Sequence, residues 1–125
     1  MNVKIVAVAA VVLGVTACSN PSGKSWAITY EVTGQSEGPL AEVTYANSPN
    51  RYEDKVADHK VTGPVGTPWK EAVVITAGQK AQVTATPTGN LKLTCRILLD
   101  GRKVLATATA STAGKPVTCE KVTDS

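Results

Sequence analysis

A chain of 125 residues, 42% of them hydrophobic, is long enough for one domain and too short for two. Its 13 basic and 10 acidic residues leave a formal charge of +3 with no Lys/Arg cluster interleaved with aromatics, too little to argue for nucleic acid, and none is expected as a partner. With 4% aromatic residues and no Phe, a core has to be built from Val, Ile, Leu, Ala and Thr around two Trp, a composition that favours strands.

Met1 to Lys4 is a short positive start, and Ile5 to Val15 is an apolar run interrupted only by Gly14. That run is shorter than the roughly 20 residues needed to cross a bilayer core. It ends in Val15-Thr16-Ala17-Cys18, which resembles the lipobox of bacterial lipoproteins. In such proteins the cut needs small residues before it for steric reasons, and the thiol is the group that receives the lipid. Residues 1–17 therefore read as a lipoprotein signal peptide and Cys18 as a lipidated N-terminus on the extracytoplasmic face of the cell membrane. An ordinary secretory signal with a chance cysteine is the alternative. Loss of Lys4, the only charged residue of that segment, takes the charge from +3 to about +2.

Three cysteines are an odd number for an exported chain. If Cys18 carries lipid, Cys95 and Cys119 remain as a pair in an oxidising compartment and are expected to form a disulfide. A metal or redox role is not indicated, since there is no CxxC and His59 is the only His.

After Cys18, residues 18–25 end in a polar stretch with Pro and Gly that reads as a flexible tether. The folded domain is expected over residues 26–125. Trp26 to Thr33 alternates, with Trp26, Ile28, Tyr30 and Val32 on one face, and reads as a half-buried first strand. Ala41 to Tyr45 is a second short strand. The charged stretch Tyr52 to Ala57 suits a solvated edge strand, and Thr62 to Pro68 a loop. Trp69 to Thr76 and Lys80 to Thr86 follow as strands.

The clearest element is Leu91 to Ala110, two strands joined at Asp100-Gly101, residues that tolerate the positive φ of a type I′ turn. Centred there, the hairpin would set Leu99 opposite Arg102, Ile97 opposite Val104, Cys95 opposite Ala106 and Leu93 opposite Ala108. Val117 to Val122 is the last strand. Seven or eight short strands at spacings of roughly 8–12 residues, with no helix outside the signal, predict an all-β sandwich. The disulfide is expected to join neighbouring late strands of it, not to lie as in antibody domains.

The order Tyr30-Glu31-Val32-Thr33-Gly34, Val43-Thr44-Tyr45, Pro68-Trp69, Leu93-Thr94-Cys95-Arg96-Ile97, Asp100-Gly101 and Val117-Thr118-Cys119 resembles the MmpS family of small mycobacterial and actinobacterial membrane proteins. The resemblance runs over about Ile28 to Val122. It implies an immunoglobulin-like β-sandwich of about seven strands outside the cytoplasm. It also implies an accessory role beside MmpL transporters, of the resistance-nodulation-division (RND) class, which export lipids and siderophores or extrude drugs. Those proteins usually carry a transmembrane helix before the domain, whereas here a lipid on Cys18 would take its place.

Little in the chain points to catalysis. His59 lies among Lys55, Asp58 and Lys60 and reads as a solvated surface residue. Glu53, Asp54 and Asp58 lack the spacing of a calcium loop. No enzyme activity, metal or cofactor is expected. Candidate contact residues are Trp69, better suited to packing over an end of a sandwich, Trp26, suited either to capping the core or to lying at the lipid interface, and a modest basic patch of Lys92, Arg96, Arg102 and Lys103, better suited to a solvated face than to docking an acidic partner. The expectation is thus a lipid-anchored binding protein that assists an MmpL-type exporter. A carrier or sensor of apolar small molecules and a structural surface lipoprotein are the rivals. A carrier predicts an apolar cavity between the sheets; a protein partner predicts a solid core and an exposed apolar patch.

Overall fold

The computed structural model describes residues 20–125. Cys18 and the expected signal peptide lie outside the described residues. Among the described residues eight strands form: β1 (Ser25–Gly34), β2 (Leu40–Asn47), β3 (Ala57–Val65), β4 (Trp69–Thr76), β5 (Lys80–Pro87), β6 (Leu93–Leu99), β7 (Lys103–Thr109) and β8 (Val117–Val122). They make two four-stranded sheets, ordered β4-β1-β6-β7 and β3-β2-β5-β8, with every neighbouring pair antiparallel. The all-β sandwich expected from the strand spacing is the fold, with one more strand than seven.

Period-two alternation explains which faces meet. Ile28, Tyr30 and Val32 of β1, Ala81, Val83 and Ala85 of β5, and Leu93, Cys95 and Ile97 of β6 turn inward and are buried. Val43 and Ile75 join them, so small aliphatic side chains fill the space between the layers. Cys95 and Cys119 are bonded, their Cα atoms 6.0 Å apart. The bridge differs from the expected one in place: β6 and β8 belong to different sheets, so the disulfide crosses the core from layer to layer.

Three other expectations are corrected. The edge strand is not Tyr52 to Ala57 but β3, which begins at Ala57 and runs through Gly63 and Pro64 to Val65. Residues before it instead form a turn, in which Asn50 accepts from Tyr52 N through its side chain and from Glu53 N through its carbonyl. Pro64 is tolerated because β3 is an edge. Gly63 is required because a β-carbon there would lie within 2.1 Å of the Leu40 carbonyl, where the β2–β3 register shifts.

The hairpin turns where expected, with both Asp100 and Gly101 at positive φ and Arg102 N donating to Leu99 O. Its register does not follow, because β7 gains residues beside the turn and again where the ladder shifts between Ile97 and Leu98. Ile97 therefore opposes Ala106 and Cys95 opposes Ala108. Val104, expected to face Ile97 in the core, is 44% exposed.

The segment expected as a tether is in part a docked strap. Asn20 N donates to Tyr52 O, and Asn20 Nδ2 donates to the carbonyls of Lys24 and Arg51. Arg51 Nε returns a bond to Gly23 O at 2.9 Å.

Candidate functional site

The strap defines one end of the sandwich, here called the entry pole. Ala77 N donates to Lys24 O, Ser48 N to Val74 O, and Thr123 N to Gln79 O. The start of β1, the β4–β5 turn and the end of β8 thus meet there, together with the Asp100-Gly101 turn, whose Asp100 N donates to Ala27 O. The opposite pole gathers the loops around Gly34–Pro39, Thr67, Thr88 and Leu91, tied by Gln35 N to Lys92 O, Thr67 Oγ1 to Gly38 O and Thr88 N to Pro39 O.

This geometry separates the residues expected to form one contact surface. Trp26, Arg102 and Lys103 lie at the entry pole; Lys92 and Trp69 lie at the other, and Arg96 sits between them. Lys92 and Arg102 flank opposite ends of β6, a strand roughly 20 Å long. The four cations therefore make no single patch. Arg96 is also engaged: its guanidinium binds the Glu31 carboxylate, with Nε at 2.6 Å, and Lys70 approaches the same carboxylate at 3.5 Å. Glu31 is only 7% exposed, so its charge is held by this pair of cations rather than by water.

Trp69 is buried among the core residues, its ring tilted against Tyr45 with centroids 5.6 Å apart. It packs over an end of the sandwich and presents no free anchor. His59 is exposed on β3 and stacks on the Tyr45 ring, with centroids 5.5 Å apart. Tyr30, fully buried, donates its hydroxyl to Ala46 O at 2.7 Å and accepts from Gln82 N at 3.1 Å. Burial raises its pKa far above the usual phenol value, against the lowering effect of the Gln82 bond. Burial raises Tyr45 too, helped by the Glu71 charge. These phenols are structural acids that stay protonated.

The entry pole holds the most distinctive concavity, a groove of about 300 Å³ between the open edges of the two sheets. Trp26 and Leu99 with Val104 and Leu105 supply its apolar lining; Lys103 and Lys121 supply cations, and Thr123 and Asp124 complete it. The indole is fixed in place. Its Nε1 donates to Asp124 O at 2.8 Å, and Lys24 Nζ lies 5.4 Å from its ring centroid. Of this set, sequence reasoning named Trp26 and Lys103 only. One signal was present: Lys121 falls in alternation with the buried Val117 and Cys119, so a cation interrupts the inward face of β8. The apolar contribution of Leu105 was hidden by the hairpin shift. Two other hollows, of about 310 and 290 Å³, lie at the opposite pole and are lined mainly by loop and threonine residues.

Among the described residues no group of His, Cys, Asp and Glu is arranged to hold a metal ion, and no helix is long and apolar enough to cross a membrane. Compared with known protein families and with characterised proteins, the chain matches none.

Proposed function

We propose that this chain is a lipid-anchored, extracytoplasmic binding protein that assists an MmpL-type exporter of lipids, siderophores or drugs. The observation that carries the reading is the docked strap. Two residues after Cys18 the chain is already bonded to the sandwich at Asn20, so an acylated Cys18 would sit no more than about 7 Å from the folded body. A protein so closely moored works at the membrane surface in one orientation, as an accessory to a membrane-embedded partner should. The buried Cys95–Cys119 bridge fits an oxidising compartment.

The residues behind the MmpS resemblance support the reading in a second way. Val32 pairs with Cys95 on one side and with Trp69 on the other, and Glu31 binds Arg96. Motif residues up to 65 positions apart are thus neighbours in one sheet, which is how a shared fold signature behaves.

Two measurements test the proposal. Mass spectrometry of protein from native membranes is expected to show an N-terminus at Cys18 bearing acyl mass; an unmodified Cys18 would end the anchoring claim. Crosslinking in the same membranes is expected to recover an RND transporter, and recovery of unrelated abundant proteins alone would remove the exporter role.

A further inference from the structure

We propose that the entry-pole groove binds an anionic membrane lipid, taking an acyl chain against Trp26, Leu99, Val104 and Leu105 and its acidic headgroup between Lys103 and Lys121. This deepens the anchored reading and rests on it, because the anchor is what brings this pole to the bilayer. The volume, about 300 Å³, stands at the lower bound of about 300–1,000 Å³ usual for small-molecule sites. Its chemistry is two-part, apolar on the β1, β6 and β7 side and cationic at its rim, which suits an amphiphile and not a wholly apolar or wholly polar ligand.

The charges favour an anion. The described residues offer Lys103 and Lys121 no carboxylate within ion-pair distance, so neither lysine is ion-paired among those residues. Asp124 is the acid in the lining; its carboxylate pairs with neither lysine, and the two cations outnumber it there. An inward-facing lysine on an edge strand also discourages sheet-to-sheet pairing, which would explain Lys121 by itself. It would not explain a fixed indole and two leucines left lining an open gap beside it. Position argues the same way. Lys24 ties the strap to this site, with Nζ over Trp26 and bonded to Ser125 O, so the chain leading to Cys18 and the apolar run before it departs from the groove's own pole.

The test uses the full chain in phosphatidylcholine vesicles doped with acyl-brominated phosphatidylglycerol or, separately, with acyl-brominated phosphatidylcholine. Bromine quenches an indole it touches. Trp69 is buried at the far pole, and the Trp26→Phe variant measures its background. Quenching of Trp26 by the brominated phosphatidylglycerol, and much less by the brominated phosphatidylcholine, is expected. Lys103→Gln with Lys121→Gln is expected to weaken phosphatidylglycerol binding roughly thirtyfold, at about 1 kcal/mol for each lysine removed.

Surface adsorption is separated from groove occupancy by two exposed valines. Val104→Asp, inside the groove, should abolish quenching, while Val122→Asp, more exposed and outside its lining, should leave it. Equal effects of the two variants would overturn the proposal. So would quenching seen only in Cys18→Ala, since the protein's own acyl chain would then be the occupant. Vesicle flotation reads anchoring independently. Protein that floats unquenched defeats the groove and leaves the anchor, whereas protein that stays behind defeats the anchor, and Trp26 quenching by short-chain brominated phosphatidylglycerol in solution then judges the groove alone.

Discussion

Tyr30 shows how one side chain can hold two layers together. It stands on β1 in the first sheet, yet its hydroxyl bonds Ala46 O at the end of β2 and Gln82 N near the start of β5, both in the second. The β2–β5 ladder ends at Tyr45 opposite Val83, so Gln82 N lies beyond it and the phenol takes over as acceptor. Tyr30→Phe would leave both backbone groups without their partner inside the protein, at about 1–3 kcal/mol. Stability against urea would read that loss. The same group sets an alkaline limit. Above about pH 10 the unfolded chain releases the phenol proton while the folded chain keeps it, so folded protein binds more protons and stability must fall with rising pH. The slope from this one residue approaches 1.4 kcal/mol per pH unit. Tyr30→Phe is expected to flatten it in melts recorded across that range, and an unchanged alkaline slope would assign the loss to other groups.

Among the elements, the strap carries the clearest prediction. Gly23 sits at a φ of +68°, and a β-carbon there would come within 2.6 Å of the Tyr52 ring. Gly23→Ala should therefore lift residues 20–24 from the Arg51–Tyr52 turn while the sandwich stays folded. Hydrogen exchange at Asn20 N, protected by Tyr52 O in the native chain, would reveal it. Protection that survives the substitution would mean the ring gives way instead. This docking was invisible in the sequence, where Pro, Gly and Ser at 21–23 carry the composition of a linker. Strand identity was legible wherever alternation was clean, as in β1 and β6, because burial of one face leaves a period of two in the residues. β3 gave no such trace. It is an edge with much of its length exposed, so little burial shaped its pattern, and its Gly-Pro pair read as a break. The hairpin turn was legible from Asp100-Gly101, since positive φ restricts residue choice; the register was not. A bulge inserts residues without demanding a particular side chain, and Val-Leu-Ala offers apolar candidates in either frame.

For the whole molecule, the disulfide matters because of the layers it joins. Hydrogen bonds hold each sheet together internally, but between the sheets the described bonds are few, and packing of small aliphatic side chains supplies the rest. Such a core, with no Phe, buries less apolar area per residue than one rich in aromatics. A covalent link across it restrains the unfolded chain where burial alone is modest. Closing a loop over a separation of 24 residues contributes about 3.5 kcal/mol in the chain-entropy account. For a domain of this size each kcal/mol moves the melting temperature by about 4–8 °C, so removing the bridge should lower it by roughly 14–28 °C. Cys95→Ala with Cys119→Ala tests this better than reductant, because both sulfurs are buried and reduction would first require the fold to open. The double variant should also separate the two layers energetically. The β1–β6 and β2–β5 ladders would still form, and exchange protection at their centres should outlast protection of β8, whose sole sheet neighbour is β5. If the double variant melts with the native chain, the sheets are held by packing alone, and the bridge is not a requirement of the fold.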